Sequence, residues 1–251
     1  MIHIERRGGG DPVLLLHGIG GSADSFADQL GPFAADHTVL AWDAPGYARS
    51  ADPDGPPGTA GYARAAADAV RACGPAHVVG VSWGGVIATR LAADHPGLVR
   101  SLVLADSTRG SGRTAGKQAA MRARPAELER LGPAGFAARR GPRLVSAQAP
   151  PELVQRVVTA MARSIRTPGY AYAAAAMAET DHTSLLGDLS LPVLVVVGER
   201  DEVTGVEESR AIAAAVPDAR LEIIEGAGHL ANQERPEEFN ALVRDFWKDV
   251  P

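Results

Sequence analysis

Cysteine is almost absent from this chain: Cys73 is the single one among 251 residues. An intrachain disulfide is therefore impossible, and a cysteine-based metal site has too few ligands. Cys73 lies in Arg-Ala-Cys-Gly-Pro at an expected helix end and reads as a packed, inert thiol. Long apolar runs are missing as well. The N-terminal stretch Met1-Ile2-His3-Ile4-Glu5-Arg6-Arg7 has no apolar h-region, which argues against a secretory signal. No run approaches membrane-spanning length, so a soluble cytoplasmic protein is expected, with no membrane partner. Basic excess is absent too: 25 Lys and Arg against 30 Asp and Glu give a net charge of −5, which offers nucleic acid no overall surface. Gly18, Gly20 and Gly21 match neither a dinucleotide fingerprint nor a P-loop. No group of histidines and carboxylates has metal spacing. Neither a metal nor a cofactor is therefore expected. With 45% hydrophobic residues, the length suits one globular domain with a sizeable insertion.

The most informative stretch is Gly80-Val81-Ser82-Trp83-Gly84-Gly85. It follows the apolar run His77-Val78-Val79 and leads into Val86 to Ala93, which reads as a buried helix. A strand, then Gly-x-Ser-x-Gly, then a helix is the setting of a nucleophile elbow. The chain has to reverse within a few residues, so a positive φ is expected at Ser82. A side chain at 80 or 84 would crowd the turn, and glycine removes the crowding. The serine hydroxyl would then stand at a helix N-terminus, where unpaired N–H groups favour developing negative charge.

The surrounding pattern alternates strand and helix. Strands are expected at 2–6, 12–16, 38–42, 77–79 and 99–105, with helices at 25–34, 60–72 and 86–93. Such alternation implies right-handed crossovers and a parallel sheet. From Arg109 to Gly187 no strand-like run occurs, and four helical patches fill the interval: 115–131, 133–146, 151–165 and 169–179. Strands resume at 191–198 and 220–225, flanked by helices at 206–216 and 236–250. The expected architecture is α/β, a mostly parallel, doubly wound sheet built from residues 1–108 and 188–251, with residues 109–187 inserted as a four-helix lid.

A serine needs a base, and the base needs an orienting acid. Gly198-Glu199-Arg200-Asp201 follows one apolar run and Gly226-Ala227-Gly228-His229 follows the next, so Asp201 and His229 fall at carboxyl ends of strands. In a parallel sheet those ends share one edge, and Ser82, Asp201 and His229 should converge there. Asp106 also ends a strand; Asp201 is preferred, and Asp106 is read as a cap of the loop after it. His17 is read as packing behind its own loop and bonding to backbone, with His95 at a helix end and His182 at the lid exit.

With these residues, the sequence resembles the α/β-hydrolase family along essentially its whole length. His17-Gly18-Ile19-Gly20-Gly21-Ser22 is similar to the family's oxyanion loop. Asp43-Ala44-Pro45-Gly46-Tyr47-Ala48-Arg49-Ser50 is similar to its Asp-x-Pro-Gly-x-Gly-x-Ser segment, departing at Ala48. The resemblance implies Ser82 as nucleophile, Asp201 as acid and His229 as base, with the N–H groups of Ile19 and Trp83 as the oxyanion hole. It implies substrate contacts at Gly18 and Gly20 of the same loop.

The lid interval carries twelve Arg or Lys against five Asp or Glu, while the remainder of the chain is strongly acidic. A solvated basic surface accounts for that excess; the sharper expectation is that Arg109 and Arg113, nearest the hinge, attract an anionic substrate. The lid and the closing segment from Gly228 to Glu237 look most like 3-oxoadipate enol-lactonases and esterase relatives, which implies a small carboxylic ester or lactone as substrate. Three other readings stay open. One is a carbon–carbon bond hydrolase of a vinylogous diketone, although those relatives carry Gly-Pro-Gly where Ile19-Gly20-Gly21 stands here. The others are a slow-turnover binding protein and a cofactor-free biosynthetic enzyme.

Overall fold

The computed structural model describes residues 1–250. The chain enters on a short edge strand, β1 (Ile4–Arg7), and continues into β2 (Asp11–Leu16). A 3-10 turn over Ala23–Phe26 precedes α1 (Ala27–Ala34) and β3 (His37–Trp42). Then come α2 (Gly58–Val70), β4 (Ala76–Val81), α3 (Trp83–Asp94) and β5 (Val99–Ala105). Only helices follow: α4 (Ala115–Arg122), α5 (Arg124–Arg140), α6 (Pro151–Ser164), α7 (Gly169–Glu179) and α8 (Thr183–Leu186). Alternation resumes with β6 (Val193–Gly198), α9 (Val206–Ala215), β7 (Arg220–Ile224), α10 (Ala231–Glu234) and α11 (Pro236–Lys248). Among the described residues no helix is long and apolar enough to cross a membrane.

The seven strands form one sheet in the order β1-β3-β2-β4-β5-β6-β7; β1 is antiparallel to β3 and every other pair is parallel. Strands β4 and β6 are buried at every position, as expected of parallel strands covered on both faces. Alternation within each strand splits the core in two. Leu14, Leu16, Val78, Leu102 and Leu104 pack on one face, with Ala66 of α2 and Leu91 of α3. Val13, Leu15, Val79, Val103 and Leu194 pack on the other, with Phe33 of α1 and Val243 of α11.

The segment between β5 and β6 is helical, as its sequence predicts, but its joints differ. The expected patch 115–131 is broken at Ala123, before Pro125, and α5 continues past it. Gly132 then breaks α5 internally with φ 67° and ψ 167°, a conformation glycine adopts without a Cβ penalty. The insertion rests on both sides of the sheet's carboxyl edge. A Cβ on Gly46 would lie 2.6 Å from the Cα of Gly169, so α7 sits directly on the Asp43–Ser50 turn. The Ala48 N–H donates to Ser164 (2.9 Å), and on the other side the Leu230 N–H donates to Leu144 (3.0 Å).

Three histidines are buried neutral in this frame. Burial lowers His17 to about 4; His77 and His182 are also lowered to about 4, by burial first and by Arg100 and Arg90 respectively next. A histidine that resists protonation when folded takes its proton on unfolding, so stability is full above ~6.5 and is lost as pH falls toward 4. Asp106, raised by burial and by the nearby Asp201 charge, acts in the opposite sense and offsets part of this. The melting temperature is expected to fall steadily from pH 6.5 to 4, with His77→Gln flattening the slope. A calorimetric Tm that stays level across that window would refute this.

Candidate active site

The turn between β4 and α3 is built on close backbone contact. Ser82 is the N-cap of α3 and has φ 55° and ψ −116°, a strained conformation that costs about 1–3 kcal/mol. A Cβ on Gly84 would stand 1.9 Å from the carbonyl oxygen of Leu16, and one on Gly80 would lie 2.5 Å from backbone atoms of Gly84 and Gly85. Glycine at both positions lets β2, β4 and α3 approach to these distances. Two bonds from β5 and its exit hold the strained residue: the Ser82 N–H donates to Ala105 (2.8 Å), and the Ser107 hydroxyl donates to the Ser82 carbonyl (2.9 Å).

His229, in the loop after β7, places Nε2 2.9 Å from the Ser82 Oγ and Nδ1 3.0 Å from Oδ2 of Asp201, in the loop after β6. Asp201 also accepts from the N–H groups of Val203 (2.7 Å) and Thr204 (3.1 Å) and from the Thr204 hydroxyl. Burial works to raise the Asp201 pKa, but these bonds, His229 foremost, outweigh it and hold it at about 2. An ionised Asp201 assigns the ring hydrogen to Nδ1, leaving Nε2 as acceptor for the serine hydroxyl. The three side chains form one hydrogen-bonded series across three strand ends.

The loop after β2 faces the same hydroxyl. A Cβ on Gly18 would meet Ser82 Cβ at 3.2 Å. The Gly21 N–H donates back to the Gly18 carbonyl (2.9 Å), which turns the loop, and Gly20 holds φ 93°. The amides of Ile19 and Trp83 have no hydrogen-bond partner among the described residues. Behind the loop His17 donates from Nδ1 to the Gly18 carbonyl (2.8 Å) and accepts at Nε2 from the Ala44 N–H (3.0 Å). His17 is thus buried and bonded to backbone on both sides, away from the Ser82 hydroxyl.

Asp106 does not touch His229. Its carboxylate accepts from the N–H groups of Gly198 (2.8 Å) and Ala231 (3.1 Å), so it ties the end of β6 to the start of α10. It caps two distant segments rather than its own following loop. Glu234 does similar work nearby, accepting from the N–H of Gly228 (2.9 Å), the N–H of Ser146 (3.0 Å) and the Ser146 hydroxyl. The histidine loop is thereby joined to the helical insertion.

Comparison with known proteins places this geometry. Residues 13–242 match the family described as "Alpha/beta hydrolase family". The chain belongs to the alpha/beta hydrolase family. It is 30% identical, over 97% of its length, to the dihydrolipoyllysine-residue acetyltransferase component of the acetoin cleaving system of Cupriavidus necator, of which it spans only 65%. It is 27% identical to 3-oxoadipate enol-lactonase 2 of Acinetobacter baylyi, covering 94% of this chain and 89% of that one. Among solved structures, a thermophilic esterase from Thermogutta terrifontis superposes with a TM-score of 0.88 at 27% identity, over 99% of this chain and 93% of that one.

In this alpha/beta hydrolase a cavity of about 870 Å³ opens above Ser82, roofed by α4 to α7; Gly18, Ile19, Gly20, Trp83 and His229 line its floor. Arg109 and Arg113 do not line it. Arg109 makes a two-pronged pair with Glu208 of α9 (Nε and Nη2, each 3.0 Å), and Arg113 adds a third contact at 3.0 Å. Burial favours the protonated form of Glu208, but the two arginines hold it at about 2. Both cations are therefore held by Glu208 at the hinge, outside the cavity lining, and the expectation that they contact substrate is corrected. Sequence reasoning missed Thr204 and Glu234. The spacing Asp-x-x-Thr, typical of a carboxylate that bonds to its own following backbone, was the available signal for Thr204. Glu234 had none. No group of three His, Cys, Asp or Glu residues suited to a metal ion occurs among the described residues.

Proposed function

We propose that the chain is a serine hydrolase of small carboxylic esters or lactones, working through an acyl-enzyme on Ser82. The observation that carries this is the unbroken series from the Ser82 hydroxyl through His229 to an ionised Asp201, opening on a cavity. His229 accepts the Ser82 proton at Nε2 as Oγ attacks the acyl carbon. The carbonyl oxygen gains negative charge and is received by the unpartnered N–H groups of Ile19 and Trp83, at the start of α3, where the helix dipole adds to the attraction. Protonated His229, held by Asp201, then donates to the leaving oxygen, and the ester C–O bond breaks. Water, deprotonated by His229, attacks the acyl-enzyme and releases the acid, restoring Ser82. For a lactone the leaving oxygen stays tethered and one hydroxy acid results. No redox partner or metal enters these steps.

The cavity's size suits a small-molecule substrate, and the esterase and enol-lactonase relatives support hydrolysis at an acyl carbon. Residues 109–187, which roof the cavity, are the segment we assign as a selecting lid over the core of residues 1–108 and 188–251. Turnover on p-nitrophenyl esters of graded chain length, simple lactones and a vinylogous diketone is the test. Multiple turnover of esters or lactones, with the diketone left intact, is expected. Turnover of the diketone alone, or a single burst without further turnover, would overturn the reading.

A further inference from the structure

The helical roof places in the cavity lining one half-buried cation that has no ion pair among the described residues. Six basic side chains line it: Lys117, Arg124, Arg140, Arg143, Arg156 and Arg200. Lys117 and Arg143 are exposed, Arg156 pairs with Asp28 (2.9 Å), and Arg200 donates to the Gln148 amide oxygen. Arg140 pairs with Glu127 (3.2 Å) and stands 5.4 Å over the Phe136 ring. Arg124 differs from all of these. It is half-buried at the start of α5, and no carboxylate among the described residues is in ion-pair contact with it.

The kink at Gly132 creates this situation. In an unbroken helix Arg124 and Arg140 would lie roughly 24 Å apart. The break instead folds the second half of α5 back, so Glu127 of the first half pairs with Arg139 (3.1 Å) and Arg140 (3.2 Å) of the second. Glu127 is thus taken by two arginines, and the third, Arg124, lines the cavity beside the buried Tyr170 phenol. Burial, with the nearby Arg140 charge, lowers the Arg124 pKa against the pull of Tyr170 and Glu127, so its charge has lost water without an ion pair to replace it. A desolvated guanidinium without a counterion is costly and is relieved by a ligand that brings one. The buried Met121, Met161 and Met177 also line the cavity.

We propose that Arg124 is a substrate-binding residue that receives a carboxylate carried by the ester or lactone at a distance from its scissile carbonyl, with Tyr170 as second donor. The planar guanidinium offers paired donors that match a carboxylate. The single half-buried cation of the lining without an ion pair among the described residues matches one negative charge. The buried methionines of the lining suit the alkyl or alkenyl chain between the two ends. This assignment rests on the hydrolase reading above and adds to it the charge and shape of the substrate.

Two substrate pairs test it. Mono-p-nitrophenyl adipate against p-nitrophenyl hexanoate places the carboxylate in the acyl part. Hexanoate esters of 4-hydroxybenzoic acid and of 4-hydroxyacetophenone place it in, or remove it from, the alcohol part. In at least one pair the wild type should favour the anion, and Arg124→Met should lower kcat/KM for it by about 10- to 100-fold, mainly through KM. The neutral partner should stay within about threefold, with Arg124→Lys recovering part of the loss. Arg130→Met, an exposed cation of α5 outside the cavity lining, should leave both pairs nearly unchanged. Equal losses on charged and neutral members, or a wild-type preference for the neutral member in both pairs, would overturn the proposal. Adipate dianion supplies a readout that needs no turnover: it should raise the Tm of the wild type but not of Arg124→Met. If no ester is hydrolysed yet adipate still stabilises through Arg124, the hydrolase reading fails and the anion site stands. If esters are hydrolysed and adipate stabilises both proteins alike, the anion site fails alone.

Discussion

Replacing Ser82 by alanine is expected to lower kcat on any ester substrate by roughly ten-thousand- to a million-fold, leaving a residue of activity from binding and the oxyanion site. The reason lies in the geometry. The His229 Nε2 has one proton to accept, from a hydroxyl 2.9 Å away, and no other hydroxyl is bonded to that nitrogen among the described residues. The elbow backbone is set by Gly80, Gly84 and the bonds from Ala105 and Ser107, none of which uses the Ser82 hydroxyl. The variant should therefore fold with a near-normal Tm. A fluorophosphonate should label the wild type once, at Ser82, and leave Ser82→Ala unlabelled. Modification mapped by peptide mass to any other residue would remove Ser82 from the role of nucleophile.

Asp201→Asn should cost about a thousand- to ten-thousand-fold in kcat at neutral pH. Its carboxylate is the acceptor that holds the His229 hydrogen on Nδ1, and it stays ionised down to about 2. An asparagine amide can present N–H to the same nitrogen, which favours the tautomer that cannot accept the serine proton. Asp106→Asn should act differently. Asp106 bonds to two backbone amides and no ring nitrogen, so its loss should lower Tm, while kcat in the folded fraction falls far less. The comparison is made at a temperature where both variants are folded by circular dichroism. Near-normal activity in Asp201→Asn together with a dead Asp106→Asn would reverse the assignment of the acid.

Legibility in this sequence follows the range of the interactions. The elbow could be read because its causes are local: a buried strand, glycines two positions to either side of a serine, and an apolar helix, all within about twenty positions. The strand-and-helix alternation was legible for the same reason, since pattern and hydrogen bonding share one period. Asp201 and His229 could be named because a parallel sheet puts every strand's carboxyl end on one edge, whatever the sequence separation. That rule could not separate Asp106 from Asp201, since both end strands. Only the tertiary packing decided, by turning Asp106 toward Gly198 and Ala231 and Asp201 toward His229. Charge was the least legible feature. The insertion's excess of arginine was visible in the sequence, yet which arginine remains without a partner depends on where Glu208 and Glu127 fall. Glu208 meets Arg109 from 99 positions away, and Glu127 meets Arg139 and Arg140 because Gly132 folds α5 back on itself. A long, flexible cation takes whichever carboxylate the fold brings within reach, so composition determined that this region is basic, and the tertiary structure alone decided that Arg124 is the half-buried charge left without an ion pair in the cavity lining.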